Sequence, residues 1–293
     1  MQIKDKTFIV TGGLGGLGSD AARMLLEQGG NVAVFDVVPE DKGEELLKTV
    51  IPKPPSSKTS LIYVSTDVTN SEAAAAAVQR VVDHYGSLHG LVHCAGVALH
   101  REWVDNNLSE SLEPFRRTLE INAVGTMCIN AAVGDAINRI TVEQLGLEPK
   151  QGSRFWTVDE ERGVIVNFAS IAAHEPNARI VGYGPSKTCV LGLTRSIADF
   201  YAPSGIRVNS VSPGVVATPM NANSLGWFES DLAANGGFPK RPSKAHHVSH
   251  AVQMLIENDF INAEDIKVTG GWRLASTWLP GFGDPRDSAP GLE

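Results

Sequence analysis

Strand-sized apolar runs alternate with segments of helical periodicity along most of the chain. The runs are residues 6–12 (KTFIVTG), 31–36 (NVAVFD), 61–68 (LIYVSTDV), 88–96 (LHGLVHCAG), 163–170 (GVIVNFAS), 205–214 (GIRVNSVSPG) and 265–271 (DIKVTGG). Near-continuous apolar strands belong in a parallel sheet covered on both faces. Amphipathic patterns fill the gaps, at 20–30, 40–50, 71–86, 112–139, 183–201 and 248–258. With right-handed crossovers this alternation predicts an α/β fold. It is a single Rossmann-type domain, a doubly wound, parallel seven-stranded sheet with helices on both faces.

Two segments break the rhythm. Residues 145–161 (LGLEPKQGSRFWTVDEE) interrupt the crossover into the fifth strand, and the Pro- and Gly-rich residues after Trp272 read as a surface tail. The expected organisation is one domain over 1–275, with an insertion at about 145–161, and a tail over 276–293.

Composition narrows the function. With 293 residues, 42% of them apolar and 20% charged, the chain can bury a large core. Its net charge of −8 repels phosphate backbones and anionic lipid, so neither nucleic acid nor membrane is an expected partner. No apolar run approaches the ~20 residues of a membrane span. The first residues, MQIKDKTFIVTGG, run straight into a strand without a signal-peptide pattern, so a cytoplasmic location is expected. Cys94, Cys128 and Cys189 lack zinc or redox-motif spacing and read as small buried hydrophobes, and no metal site is expected.

The first strand ends in TGGLGGLG, Thr11 to Gly18, and a helix follows. Glycines there allow a tight turn and let backbone approach a pyrophosphate, with the helix N-terminus offering free N–H groups behind it. Gly12, Leu14, Gly16, Leu17 and Gly18 are the candidate dinucleotide contacts. The second strand ends in Asp36, near the offset expected of a ribose-binding acid. A carboxylate there accepts from ribose hydroxyls and repels a 2′-phosphate. No Arg or Lys in the loop or just after Asp36 offsets that repulsion, so the expected cofactor is NAD.

Tyr183 and Lys187 lie four apart at the start of a helical pattern, hence on one face. A free phenol has a pKa of about 10 and is a poor acid–base group at neutral pH. An ammonium roughly 5 Å away favours the phenolate by about 3 kcal/mol at an effective dielectric near 20. Ser170 ends the fifth strand, where its hydroxyl can enter the crevice and hold a substrate oxygen. Asn122 is a polar group on an otherwise apolar helical face.

Taken together and in this order, these residues resemble the short-chain dehydrogenase/reductase family over about residues 5–273. TGGLGGLG is similar to its TGxxxGxG, and Asn122, Ser170, Tyr183 and Lys187 match its catalytic tetrad. Asp67-Val68 matches the pair that contacts adenine. Pro213-Gly214, with Val215, Val216 and Thr218, matches the segment that holds the nicotinamide amide. The family's NNAG reads His93-Cys94-Ala95-Gly96, in which Cys94, Ala95 and Gly96 are implied cofactor neighbours and His93 is expected to be a buried structural imidazole.

Within the family the chain looks most like the type II 3-hydroxyacyl-CoA dehydrogenases, through CAGVA, ERGVIVNFASIAA, FPKRPSKAHHVSHAVQMLIENDFIN and IKVTGG. The resemblance implies hydride exchange between NAD and a secondary alcohol or ketone. Tyr183 is then the acid–base group, Ser170 holds the oxygen, and Lys187 tunes Tyr183 and binds the nicotinamide ribose. Asn122 positions a proton-relay water.

A hydrophobic small-molecule substrate is expected against Ala172, His174, Val215, Trp227 and Phe228. A 3-hydroxyacyl thioester, a steroid-like alcohol and a ketone of a secondary-metabolite pathway all stay open. Residues 220–238 carry Gly226, Gly236 and Gly237 as hinge candidates and are expected to form a lid. A homotetramer or homodimer is expected, packed through helical faces bearing Ala123, Met127, Ala131, Val190, Leu193 and Ile197. The competing class is a non-redox nucleotide-binding relative, which usually loses part of the Ser–Tyr–Lys set; this chain retains all of it.

Overall fold

The computed structural model describes residues 1–52, 60–98, 108–146, 157, 159–175 and 181–274. Most of the expected insertion and the whole 276–293 tail lie outside the described residues. The seven strands are β1 (Thr7–Thr11), β2 (Asn31–Asp36), β3 (Leu61–Ser65), β4 (Gly90–His93), β5 (Gly163–Phe168), β6 (Ile206–Pro213) and β7 (Asp265–Val268). They form one sheet in the order β3-β2-β1-β4-β5-β6-β7, and every pairing is parallel. This is the predicted doubly wound sheet.

Eight α-helices accompany it among the described residues: α1 (Gly16–Glu27), α2 (Glu40–Val50), α3 (Ser71–Tyr85), α4 (Leu112–Leu119), α5 (Gly125–Gln144), α6 (Tyr183–Tyr201), α7 (Leu225–Asn235) and α8 (Ala245–Glu257). Local chemistry sets several of their ends. The Asn70 side chain accepts the Ala73 amide at the start of α3, and Gly86 closes that helix in the left-handed conformation at φ 68°. Each face of the sheet has its own core. Phe8, Val10, Val32 and Val34 pack against α1 and α8 on one side. Ile9, Phe35, Leu91 and Ile165 pack against α3, α5 and α6 on the other. No helix among the described residues is long and apolar enough to cross a membrane.

Two elements depart from the sequence pattern. The expected long helix from residue 112 is continuous, but it widens to a π-helical turn at Glu120–Val124 between α4 and α5. A π turn bonds i to i+5 in place of i to i+4, and no local motif in the sequence announces it. In the expected lid, α7 forms although its periodicity is weak, because it folds against the segment after β7 rather than on its own propensity.

Candidate active site

The strand ends at the top of β1, β2 and β4 open into a cleft of about 330 Å³. Its floor is the glycine loop. Gly12 sits at φ 61°, and a Cβ on it would stand 2.9 Å from the Ala95 backbone; one on Gly18 would stand 2.2 Å from the Gly12 carbonyl. Only glycine permits so close a fold of loop, helix and strand end. No side chain caps the N-terminus of α1, so its first N–H groups stay open to an anion.

Gly12, Gly16, Leu17, Gly18, Asp36, Asp67, Val68, Cys94, Ala95, Gly96 and Thr218 all line the cleft. The Asp36 carboxylate, at the tip of β2, accepts the amides of Leu14 at 3.2 Å and Val37 at 2.9 Å. Leu14 meets the site through that amide, while its side chain packs on the first core. Asp67 accepts the Thr69 amide and hydroxyl. These bonds, with help from the Arg117 charge, hold its carboxyl below the ordinary carboxylate range despite partial burial.

Pro213, Gly214 and Val216 stand apart from the cleft lining. Gly214 donates to the Val268 carbonyl at 3.0 Å, and Val216 is buried in the first core. Sequence reasoning did not single out Thr66, Arg117 and Ile121, which also face the cleft; Val97, from CAGVA, and Met220, from the expected lid segment, face it as well.

None of the four candidate catalytic residues is in the lining of the cleft; Asn122 and Lys187 crowd its wall at Gly96, and Tyr183 lies beyond them next to Lys187. Ser170 follows β5, is 8% exposed, and its Oγ accepts the Ala172 amide at 3.2 Å. Tyr183 opens α6; burial pushes its phenol above the ordinary value, and the Ser170 hydroxyl pulls against the rise. Lys187 is buried one turn on. Its Nζ donates to the Phe168 carbonyl at 2.7 Å and lies 5.9 Å from the centre of the Tyr183 ring, and burial lowers its ammonium to about 8. The ammonium is turned to a backbone carbonyl, and Ser170 is the group that draws against the rise of the phenol.

Asn122 lies in the π turn and is fully buried. Its Oδ1 accepts the Val97 amide and its Nδ2 donates to the Val97 carbonyl, both at 2.8 Å, so the side-chain amide grips the strand end as a neighbouring strand would. A Cβ on Gly96 would stand 3.1 Å from Asn122 Oδ1 and 3.2 Å from Lys187 Nζ, which shows how closely these groups crowd the cleft wall.

His93 is the buried structural imidazole expected of it, and its hydrogen bonds fix its tautomer. The Thr126 hydroxyl donates to the Asn122 carbonyl at 2.6 Å, so toward His93 Nε2, 3.0 Å away, it must accept. Nδ1 then accepts from the Thr11 hydroxyl at 2.7 Å, and that oxygen accepts the Ala95 amide at 3.2 Å. Burial, with the Lys187 charge behind it, lowers the imidazole to about 3, consistent with a neutral ring. One side chain thus ties β1, β4 and the Asn122 turn together.

The expected substrate wall is partly assembled. Ala172, Val215, Ile171, Leu232, Trp272 and Leu274 form a third apolar cluster, with Tyr183 and Phe228 packed against it. Trp227 stands edge-on to Phe228, with ring centres 4.8 Å apart. His174 is engaged elsewhere: its Nε2 meets Asp265 Oδ2 at 2.9 Å and Ser212 Oγ at 3.1 Å, which anchors the turn after Ser170 to β6 and β7. Of the expected interface residues, Ala123, Val190 and Ile197 are buried within the protomer, whereas Met127 is 47% exposed.

Comparison with known proteins follows the same lines. The short chain dehydrogenase family model matches residues 6–144, and the enoyl-(acyl carrier protein) reductase model of the same group matches 153–273. A 3-hydroxyacyl-CoA dehydrogenase type-2 from Drosophila melanogaster is 34% identical, covering 93% of this chain and 99% of that one. An ipsdienol dehydrogenase from Ips pini is 26% identical, over 93% and 99% of the two chains. Among solved structures, a short-chain type dehydrogenase/reductase from Mycobacterium ulcerans superposes with a TM-score of 0.77 at 28% identity, covering 92% and 90%.

Proposed function

The chain belongs to the short-chain dehydrogenase/reductase family of oxidoreductases, and from that premise we propose that it interconverts a secondary alcohol and a ketone on an apolar substrate, using NAD(H). The observation that carries the reading is that Tyr183 packs against the apolar cluster while its neighbour Lys187 crowds Gly96 in the wall of the glycine-floored cleft. A nicotinamide dinucleotide fits the donor set. The open N-terminus of α1 suits its pyrophosphate, Asp36 suits an unphosphorylated ribose, and Asp67 and Val68 suit adenine. When bound, it supplies the hydride acceptor or donor.

The protein's own groups do the rest. Ser170 Oγ holds the substrate oxygen. Tyr183 Oη takes the hydroxyl proton during oxidation and returns one during reduction. Lys187 holds the nicotinamide ribose in this reading. The aromatic lid excludes water from the reacting carbon. The resemblance to 3-hydroxyacyl-CoA dehydrogenases favours a 3-hydroxyacyl thioester or a steroid-like alcohol. The ipsdienol dehydrogenase similarity supports the alternative, a ketone of a secondary-metabolite pathway. A cytoplasmic location and a homotetramer or homodimer belong to the same reading.

The test is spectrophotometric. Acetoacetyl-CoA and the bicyclic ketone trans-1-decalone are each offered with NADH and with NADPH. Turnover with NADH that vanishes in Tyr183→Phe supports the reading; no turnover with either ketone, or a clear preference for NADPH, overturns the corresponding part.

A further inference from the structure

We propose that Arg117, on α4, is a further cofactor-binding residue whose guanidinium closes over the adenine ring of the bound dinucleotide, opposite Asp67. The inference rests on the dehydrogenase reading above and deepens it.

The fold, rather than a motif, brings Arg117 to the cleft. It stands one helical turn before Ile121, where α4 runs into the π turn, and both residues line the cleft. Its neighbour Arg116 is absent from that lining and sits in a solvent-exposed pair with Glu113 at 3.9 Å. One step along the helix thus separates an ordinary surface ion pair from a cation turned to the cofactor. Gly125 sets how closely the helix approaches the chain after β3: a Cβ there would stand 2.9 Å from Val68 Cγ2. The approach puts Arg117 and Asp67 in one cleft, near enough for the guanidinium charge to act on the carboxylate.

Charge and shape here suit a purine base. Arg117 is the one cation among the described residues that line the cleft, and Asp36 and Asp67 are the two carboxylates. No hydrogen bond or ion pair engages its guanidinium among the described residues, whereas Arg23, Arg80 and Arg207 are each tied to a carboxylate. Asp67 is only half engaged. The Thr69 amide at 2.9 Å and hydroxyl at 2.7 Å both end on Oδ1, and Oδ2 keeps its capacity to accept.

Val68 and Ile121 add apolar surface to the lining, and so does Val37, which is 69% exposed. An adenine ring entering this part of the cleft covers the exposed valine, offers its amine to Asp67 Oδ2 and presents a π face to the guanidinium. Arginine suits that place because its ion is planar, weakly hydrated and stacks on aromatic faces, whereas an ammonium is a compact, strongly hydrated point charge.

The experiment titrates ADP-ribose, NADH and NADPH by calorimetry against the parent, Arg117→Ala, Arg117→Lys and Arg116→Ala, with Tm recorded for each. Adenosine, which carries no phosphate, is titrated by NMR. A guanidinium on a partly exposed ring is worth about three- to ten-fold in affinity. Arg117→Ala should weaken ADP-ribose, NADH and adenosine by about that factor at an unchanged Tm. Arg117→Lys, which keeps the charge and loses the plane, should fall between, and Arg116→Ala should match the parent. Equal affinities in the parent and Arg117→Ala, or an equal loss in Arg116→Ala, overturn the proposal. So does a loss for ADP-ribose with adenosine binding unchanged or absent, which assigns Arg117 to the pyrophosphate. A loss several-fold larger for NADPH than for NADH overturns it as well and assigns the cation to a 2′-phosphate. If the parent binds none of these ligands, the dehydrogenase reading falls too; if NADH binds tightly and Arg117→Ala leaves it unchanged, only the role of Arg117 falls.

Discussion

Lys187 Nζ donates to the carbonyl of Phe168 at 2.7 Å, across nineteen positions of sequence, and so links the start of α6 to the end of β5. Burial lowers its ammonium to about 8 from an ordinary 10.5. Between those values the unfolded chain holds the proton that the folded chain has released, so this group's contribution to stability rises with pH across that window. Lys187→Met should remove the rise, read as urea midpoints from pH 7 to 10.5, and should lower turnover at least ten-fold at pH 7. A variant whose midpoints still climb in parallel with the parent argues against the buried ammonium.

Tyr183→Phe keeps the ring and deletes the hydroxyl that meets Ser170. Turnover should fall by about 10²–10⁴, the usual worth of a positioned acid–base group. NADH affinity, measured by fluorescence, should stay within about two-fold, since the phenol is remote from the glycine loop. Retention of a tenth of parental turnover defeats the assignment.

Asp36 accepts two backbone amides and lines the cleft. Its charge should disfavour a 2′-phosphate, and Asp36→Ala should narrow the NADH-over-NADPH preference by about ten-fold, or ~1.4 kcal/mol. Direct titration with both cofactors reads this, and equal affinities in the parent protein count against it.

His93 titrates near 3 when buried and at an ordinary 6.5 when free. The unfolded chain takes up its proton first on acidification, so this group's stabilising contribution is complete above pH 6.5 and is lost as pH falls toward 3. His93→Asn should flatten that acid limb. At pH 7 it should cost about 1 kcal/mol for the lost bond to Thr126. Nitrogen NMR should find Nε2 protonated and Nδ1 bare at pH 7; a reversed tautomer breaks the hydrogen-bond chain from Thr11 to Asn122.

Val124 and Met127 stand 43% and 47% exposed on the outer side of the helix that carries Asn122. Light scattering at micromolar concentration should give a dimer or tetramer, and Met127→Glu should shift it toward smaller species, since a buried unpaired charge is strongly disfavoured in an apolar interface. A monomeric parent refutes the assembly.

Much of this architecture is legible in the sequence because its signals are local. Each strand is a contiguous apolar run, the glycine loop is spelled out over eight residues, and Tyr183 and Lys187 sit one helical turn apart. What the sequence hides depends on distant contacts. The π turn at Asn122 has no local motif to mark it. Thr126 acquires its meaning only beside His93, thirty-three residues away, and α7 only against Trp272. Arg117 and Thr66 face the cofactor cleft without any motif to mark them. His174 meets Asp265, and nothing near it in sequence announces that contact.

The strand order also bears on synthesis. The residues that line the cofactor cleft up to Ile121 lie on β1, β2, β3, β4 and the helix after them, and leave the ribosome first. Trp272 comes within the last segment of chain, beside β7 at the sheet's outer edge. A nascent protein translated only to the end of β6 lacks Thr218, Pro219 and Met220, which complete the lining of the cleft. The cleft that opens on the first strands is thus closed only by chain synthesised after the sixth, so its completion waits on the last quarter of the polypeptide.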